Sequence, residues 1–298
     1  MKNSKIKLKG FGSGGLFPYY VGVGAFLQDN YDLNCFNFET KSGSGFMCMM
    51  YIYNFPMKTY YDLWYKRIYY LIENKSLYFV IKYFFDIIEA HHIELINLNN
   101  VKNINDINHT IIVTNYKTNY KQNITSYFDK KDYVNMIVAS CYFRVPFLYD
   151  YLYSKERNAY FCDGALDKYW YINFFLLPFI YIKKQIDSFF IQKEDNSSII
   201  SDFNQNIDPE PIIEIPIDIL NDYPLIIKFI IRICYKVIGL YTKQDWLYQE
   251  GYQYAKTYLK PKLDKLNISP SPETQVKSQY SYDYDFKLNF NPITKTFY

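Results

Sequence analysis

Apolar and polar positions alternate over short stretches in the first third of the chain and again between residues 109 and 166. IKLKG at 6–10 alternates residue by residue, which predicts a strand entering a glycine-rich turn. PYYVGVGAFLQDN at 18–30 has helical spacing, with Val21, Ala25 and the flanking Tyr20, Phe26 and Leu27 supplying an apolar face. CFNFET at 35–40 predicts a second short strand, and FMCMMYIYNF at 46–55 opens a second helix. The segment from Lys58 to Leu98 is long, aromatic and mostly helical in pattern. HTIIVTNY at 109–116 predicts a buried strand with ITSYF at 124–128 as its partner. DYVNMIVASCYF at 132–143 predicts a helix stopped by Pro146, and NAYFCDGAL at 158–166 a strand running into a turn. Strands alternating with helices predict an α/β layered domain, and no internal repeat interrupts the series.

Past residue 192 the pattern weakens. KEDNSSIISDFNQNIDPEPIIEIP at 193–216 is polar and proline-marked, which predicts a surface loop. Two helical patterns follow over 224–260, and 266–298 is polar enough to predict a loosely ordered end. The expected organisation is a domain over 5–190, a loop or linker over 191–222, a helical extension over 223–262 packing on the domain, and a loosely ordered tail over 263–298.

Composition narrows the class. At 49% hydrophobic over 298 residues the chain can bury a sizeable core. Its 35 Tyr and 24 Phe, with abundant Ile, Asn and Lys, match the codon bias of an A/T-rich genome such as that of a large DNA virus or a protist, so a single aromatic is not read as a binding signal. A net charge of +3 is too small to argue for nucleic acid. Cys35, Cys48, Cys141, Cys162 and Cys234 form no CxxC pair, as expected of free thiols in a reducing compartment. The first residues lack an apolar stretch of signal-peptide length, and the apolar run at 223–241 is broken by Lys228, Arg232 and Lys236. The expectation is a cytoplasmic protein without a spanning helix. Those three cations recur every four residues, which fits either a helix on the core with its cations reaching solvent or a basic stripe lying on anionic lipid.

Three local pieces carry chemistry. Gly10-Phe11-Gly12-Ser13-Gly14-Gly15 lies between a strand and a helix, where backbone N–H groups can stabilise an anion, a phosphate or the oxyanion of acyl transfer; a tight turn without a ligand is the plainer reading. No GK[ST] follows, so it is not a P-loop. FETKSGSGF at 38–46 is the second piece, a strand, small residues and then a helix. A serine on so sharp a turn is lifted clear of the sheet, and the bend wants small residues two positions to either side. Ser42 has Thr40 and Ser44 there; Ser44 has Ser42 and the bulky Phe46, so Ser42 is the better geometric choice and Ser44 the alternative. The third piece is Asp163-Gly164-Ala165 after the strand AYFC, either a turn or a carboxylate presented at the sheet edge as a general base.

Taken in order, GSGGLFPYYVGVGAFL, TKSGSGF, TIIVTNYKTNYKQNITSYF, VASCYFRVPF and YFCDGALDKYW resemble the patatin-like phospholipase family over roughly residues 5–180, most nearly its animal-type triglyceride lipase and adiponutrin branch. QEGYQYAKTYL at 249–259 is similar to a helix near the end of such domains. The resemblance implies a three-layer α/β fold with a central, mostly parallel sheet flanked by helices and a C-terminal helical extension. It implies a Ser42–Asp163 dyad, an oxyanion hole at Gly12, Ser13, Gly14 and Gly15, no metal or organic cofactor, and a glycerolipid or phospholipid ester as substrate, met at a membrane or lipid-droplet surface. The sequence departs from the family at Leu16 and Phe17 in the first motif and at Thr40 and Ser44, where the elbow has glycines; Thr40 would then have to take the strained bend. The departures keep open a patatin-fold lipid-binding protein without turnover, and the glycine turn as a phosphate site keeps open a nucleotide-binding α/β protein. His91 and His92, beside Glu89 and Glu94, lack the spacing of a metal site, since adjacent helical residues point to different sides.

Overall fold

The computed structural model describes residues 5–10, 17–48, 55–98, 108–142, 151–164, 212–215, 245–273, 275, 277–278 and 287–298. The calls on Gly12–Gly15, Pro146, the loop over 193–211 and the cations at 228, 232 and 236 lie outside these residues.

In chain order the elements are β1 (Ile6–Gly10), α1 (Phe17–Asn30), β2 (Phe36–Lys41), α2 (Met57–Asn74), α3 (Leu77–Lys82), α4 (Phe84–Leu98), β3 (His109–Asn115), β4 (Lys121–Ile124), α5 (Lys130–Cys141), β5 (Leu152–Ser154), β6 (Ala159–Asp163), β7 (Ile212–Ile215) and α6 (Asp245–Tyr254). A π-turn over Ala255–Leu259 carries α6 into α7 (Lys260–Asp264), and a short hairpin of β8 (Phe290–Asn291) and β9 (Thr296–Phe297) follows. The sheet runs β5-β6-β3-β2-β1-β7, with β4 also on β3. β7, β1, β2 and β3 are mutually parallel, whereas β4, β5 and β6 join antiparallel. The protein is therefore a mixed α/β fold with a mostly parallel central sheet flanked by helices.

The alternation of β1 and β2 divides the sheet into two unlike faces. Ile6, Leu8, Phe36 and Phe38 point to one face, where Tyr19, Tyr20, Val23 and Leu27 of α1 and Ala255, Leu259 and Leu263 cover them. Ile111 and Val113 of β3 continue this face under Val134, Ile137 and Val138 of α5. On the opposite face Lys7 and Lys9 each lie 3.7 Å from Glu39 and keep about a third of their surface in solvent. The described residues thus supply two layers of the three expected.

Helices α1 and α6 meet backbone to backbone. A Cβ on Gly22 would stand 2.0 Å from the Tyr248 carbonyl oxygen, and one on Gly251 would stand 1.9 Å from that of Tyr19. Only glycine permits such an approach.

Three expectations change. The partner of β3 is Lys121–Ile124, displaced toward the N-terminus from 124–128, because the Asn115 side chain accepts from Lys117 N and Thr118 N and closes the turn early. Ile124 ends the strand, and Tyr127 is buried in the segment that follows, its OH donating to His109 O at 2.6 Å. Ile212–Ile215 falls in the segment read as loop but pairs with β1, burying Ile213 and Ile215; four residues between prolines suffice for an edge strand. The described part of the tail is packed. Gln275 Nε2 bonds the carbonyls of Gln28 and Tyr31, Phe290 and Phe297 join the main core, and Arg67 sits 4.0 Å from the Phe297 ring centroid. Among the described residues no helix is long and apolar enough to cross a membrane.

Candidate active site

Strand β3 organises the site. Its residues 111–114 pair with β4 on one edge, so β2, paired at 109–112, and β6, paired at 113–115, must share the other. β2 runs along that edge until Lys41 meets Ile112; β6 runs the opposite way until Asp163 meets Val113. The two strands end head to head on consecutive residues of β3. Ser42 and Asp163, 121 residues apart in sequence, are neighbours for that reason, and Ser42 Oγ donates to Asp163 Oδ2 at 2.8 Å. Both side chains are at most 5% exposed.

Ser42 opens the 3₁₀ turn Ser42–Gly45 and has φ of 57°, a left-handed conformation that costs a non-glycine residue about 1–3 kcal/mol. Such strain persists where the surroundings over-determine it. Here Ser44 ties the turn to the strand end: its Oγ donates to Lys41 O at 2.9 Å and accepts from Lys41 N at 3.2 Å. Ser44, the alternative nucleophile of the sequence reading, is thus engaged by the backbone of its own turn.

Neither Thr40 nor Ser44, which stand where the resemblance expects glycines, has a positive φ. Thr40 lies inside β2 and does not take the bend; the positive φ falls on Ser42, which corrects the expectation of strain at Thr40. Beside Ser44 the small residue is Gly10 at the end of β1, where a Cβ would come within 2.6 Å of Ser44 Cβ. Close packing needs one glycine at that crossing, and β1 supplies it.

Asp163 is fixed through its backbone. Its N–H donates to Tyr142 O at 3.0 Å, its carbonyl accepts from Thr114 Oγ1 at 3.1 Å, and the next N–H, of Gly164, donates to Ser140 O at 3.3 Å. The end of α5 and the edge of β3 therefore hold the backbone of Asp163 from two sides. Gly164 is required: a Cβ there would fall 1.9 Å from Ile112 O.

None of the three histidines bonds Ser42 or Asp163. His109 Nε2 lies 2.6 Å from Thr40 Oγ1 and its Nδ1 lies 2.7 Å from Tyr133 OH. This buried relay, which sequence spacing did not reveal, pins β2 two residues before Ser42. His91 Nδ1 meets Arg67 at 2.6 Å, and His92 stacks between Phe46 and Tyr60. Arg67 is fully buried, reaching Glu94 at 2.5 Å and Lys287 O at 3.1 Å. Phe17, at the start of α1, packs its ring 5.5 Å from Phe46, so both described neighbours of segment 11–16, Gly10 and Phe17, touch the serine turn. Among the described residues no group of three or more His, Cys, Asp or Glu side chains is placed to hold a metal ion.

Burial lowers the pKa of His109 to about 3; burial first and the Arg67 charge second lower His92 to about 3 as well, and the same two causes, followed by the neighbouring His92, push His91 well down. All three are neutral in the fold, whereas an unfolded chain protonates them near their ordinary value of 6.5. Between those values the unfolded state holds more protons, so stability rises with pH there and is lost on acidification. The expected result is a denaturant midpoint that falls between about pH 6.5 and pH 4, with one proton fewer taken up on unfolding in His109→Gln. Equal pH slopes for the two proteins would refute the buried neutral His109.

No family model, curated protein or solved structure matches this chain.

Proposed function

We propose that the protein is a patatin-like serine acyl hydrolase that cleaves ester bonds of glycerolipids or phospholipids through a Ser42–Asp163 dyad. The observation that carries this reading is the 2.8 Å hydrogen bond from a serine in a left-handed elbow to a buried carboxylate. Asp163 Oδ2 accepts the Ser42 proton as Oγ attacks the ester carbonyl carbon. The resulting oxyanion would be held by backbone N–H groups, that of Gly43 directly after the nucleophile and those of Gly12 to Gly15. Collapse expels the alcohol, which takes the proton from Asp163 and leaves an acyl-serine. Asp163 then removes a proton from water, hydroxide adds to the acyl carbon, and the fatty acid leaves as Ser42 regains its proton. No step calls on a metal or organic cofactor.

A patatin-fold lipid binder without turnover is the second reading, favoured by Thr40 and Ser44 standing where an elbow has glycines. The deciding experiment is labelling with a fluorophosphonate ester followed by peptide mass spectrometry. The expected adduct is on Ser42, is lost in Ser42→Ala and remains in Ser44→Ala. An adduct on Ser44 would move the nucleophile. Folded protein without any adduct would leave the binding reading.

A further inference from the structure

Two hairpin turns project past the carboxyl edge of the parallel strands, the edge at which Ser42 stands. β3 continues to Asn115, beyond its last pairing with β2 at Ile112, and turns over residues 116–120 into β4. The β5–β6 turn over residues 155–158 lies beside it, since Phe161 pairs with Asn115 and Tyr116 N donates to Tyr160 O at 2.8 Å. From Tyr160 to Asp163 is three residues of strand, about 10 Å.

These turns carry a distinct chemistry. Tyr116 and Tyr151 have ring centroids 4.5 Å apart, Tyr151 and Tyr160 4.6 Å, and Tyr160 and Tyr153 4.8 Å, a continuous ladder. In β6, Phe161 and Asp163 face the helices and Tyr160 points the other way, so the ladder lies on the face that the described helices leave uncovered. Tyr153 is 48% and Tyr120 75% exposed. Lys117, Lys121 and Lys155 are exposed around the ladder, with Lys117 Nζ 6.0 Å from the Tyr160 ring centroid. Within residues 115–121 and 151–160 the only carboxylate is Glu156. Tyr116, Tyr151 and Tyr160 are half-buried and hold Tyr153 in the row; the exposed Tyr153 and Tyr120, each with an apolar ring and a polar tip, suit the boundary between lipid and water, and three lysines against one carboxylate suit an anionic surface.

We infer that the tyrosine ladder and its lysines form a docking surface for an anionic lipid bilayer. The choice of lipid as occupant rests on the acyl-hydrolase reading. Along β6 the surface begins about 10 Å from Asp163, on the sheet face opposite to its side chain.

The experiment is flotation of the full chain with phosphatidylcholine vesicles with and without phosphatidylserine, run for the wild type, Ser42→Ala, Lys117→Gln with Lys155→Gln, and Tyr153→Ser. The wild type and Ser42→Ala are expected to float equally with the phosphatidylserine vesicles. Removing the two lysine charges should lower that partitioning about thirtyfold, and Tyr153→Ser should lower it severalfold. Fluorophosphonate labelling in solution should be unchanged in the lysine and tyrosine variants. A wild type that labels but does not float, or lysine variants that float like the wild type, would overturn the docking surface and leave the hydrolase reading standing. Flotation without labelling would do the reverse. A wild-type dimer that Tyr153→Ser dissociates would make a second copy the occupant and overturn the lipid assignment.

Discussion

Asp163→Asn is expected to lower the rate of Ser42 acylation by about 10²–10⁴ while leaving the fold intact, because general-base assistance contributes that range. The side-chain amide fills the same space, and the bonds that position residue 163 involve its backbone: Asp163 N to Tyr142 O at 3.0 Å and Thr114 Oγ1 to Asp163 O at 3.1 Å. An asparagine can still hydrogen-bond Ser42 Oγ, but it cannot accept the proton that the attack releases. Because each histidine is engaged elsewhere or faces the aromatic core, no imidazole stands ready to replace it. The check is the phosphonylation rate of wild type and variant at equal melting temperature. A variant within tenfold of the wild type would remove Asp163 from the chemistry.

The largest effect on stability is expected from Gly251→Val. Its Cβ alone would fall 1.9 Å from the Tyr19 carbonyl oxygen, and a helix carbonyl cannot move aside as a flexible side chain can. Forcing the two helices apart disturbs the contact at Gly22 as well, where the Tyr248 oxygen would be only 2.0 Å from a Cβ. Overpacking costs about 3 kcal/mol, which at about 2–4 °C per kcal/mol lowers the melting temperature by about 6–12 °C. Function should suffer too, since α1 brings Phe17 onto Phe46 beside the serine turn. Melting within about 1 °C of the wild type would refute the backbone contact between these helices.

The two strand ends that form the candidate site were legible because they are local. A small-residue cluster after the alternating FNFET and an Asp-Gly after AYFC are strand-end signals, readable without knowing what lies across the sheet. The preference for Ser42 over Ser44 likewise came from the bulk of Phe46, two residues after Ser44, against the small Thr40 and Ser44 on either side of Ser42. How Thr40 and Ser44 are accommodated was not legible, because it depends on other elements: Gly10 makes room for Ser44, and His109 with Tyr133 ties down Thr40. Sequence patterns also undervalued short or polar segments that tertiary contacts order, namely β7, the bonds of Gln275 to the end of α1, and the β8–β9 hairpin under Arg67.

By itself the sequence determined the strands and helices that carry their own periodicity, the α/β class that follows from their alternation, and the residue types at two strand ends. Only the tertiary structure decided that those two ends face each other. That meeting depends on β2 and β6 taking successive stretches of one edge of β3, and strand register is fixed by pairing across the sheet rather than by the order of residues along the chain.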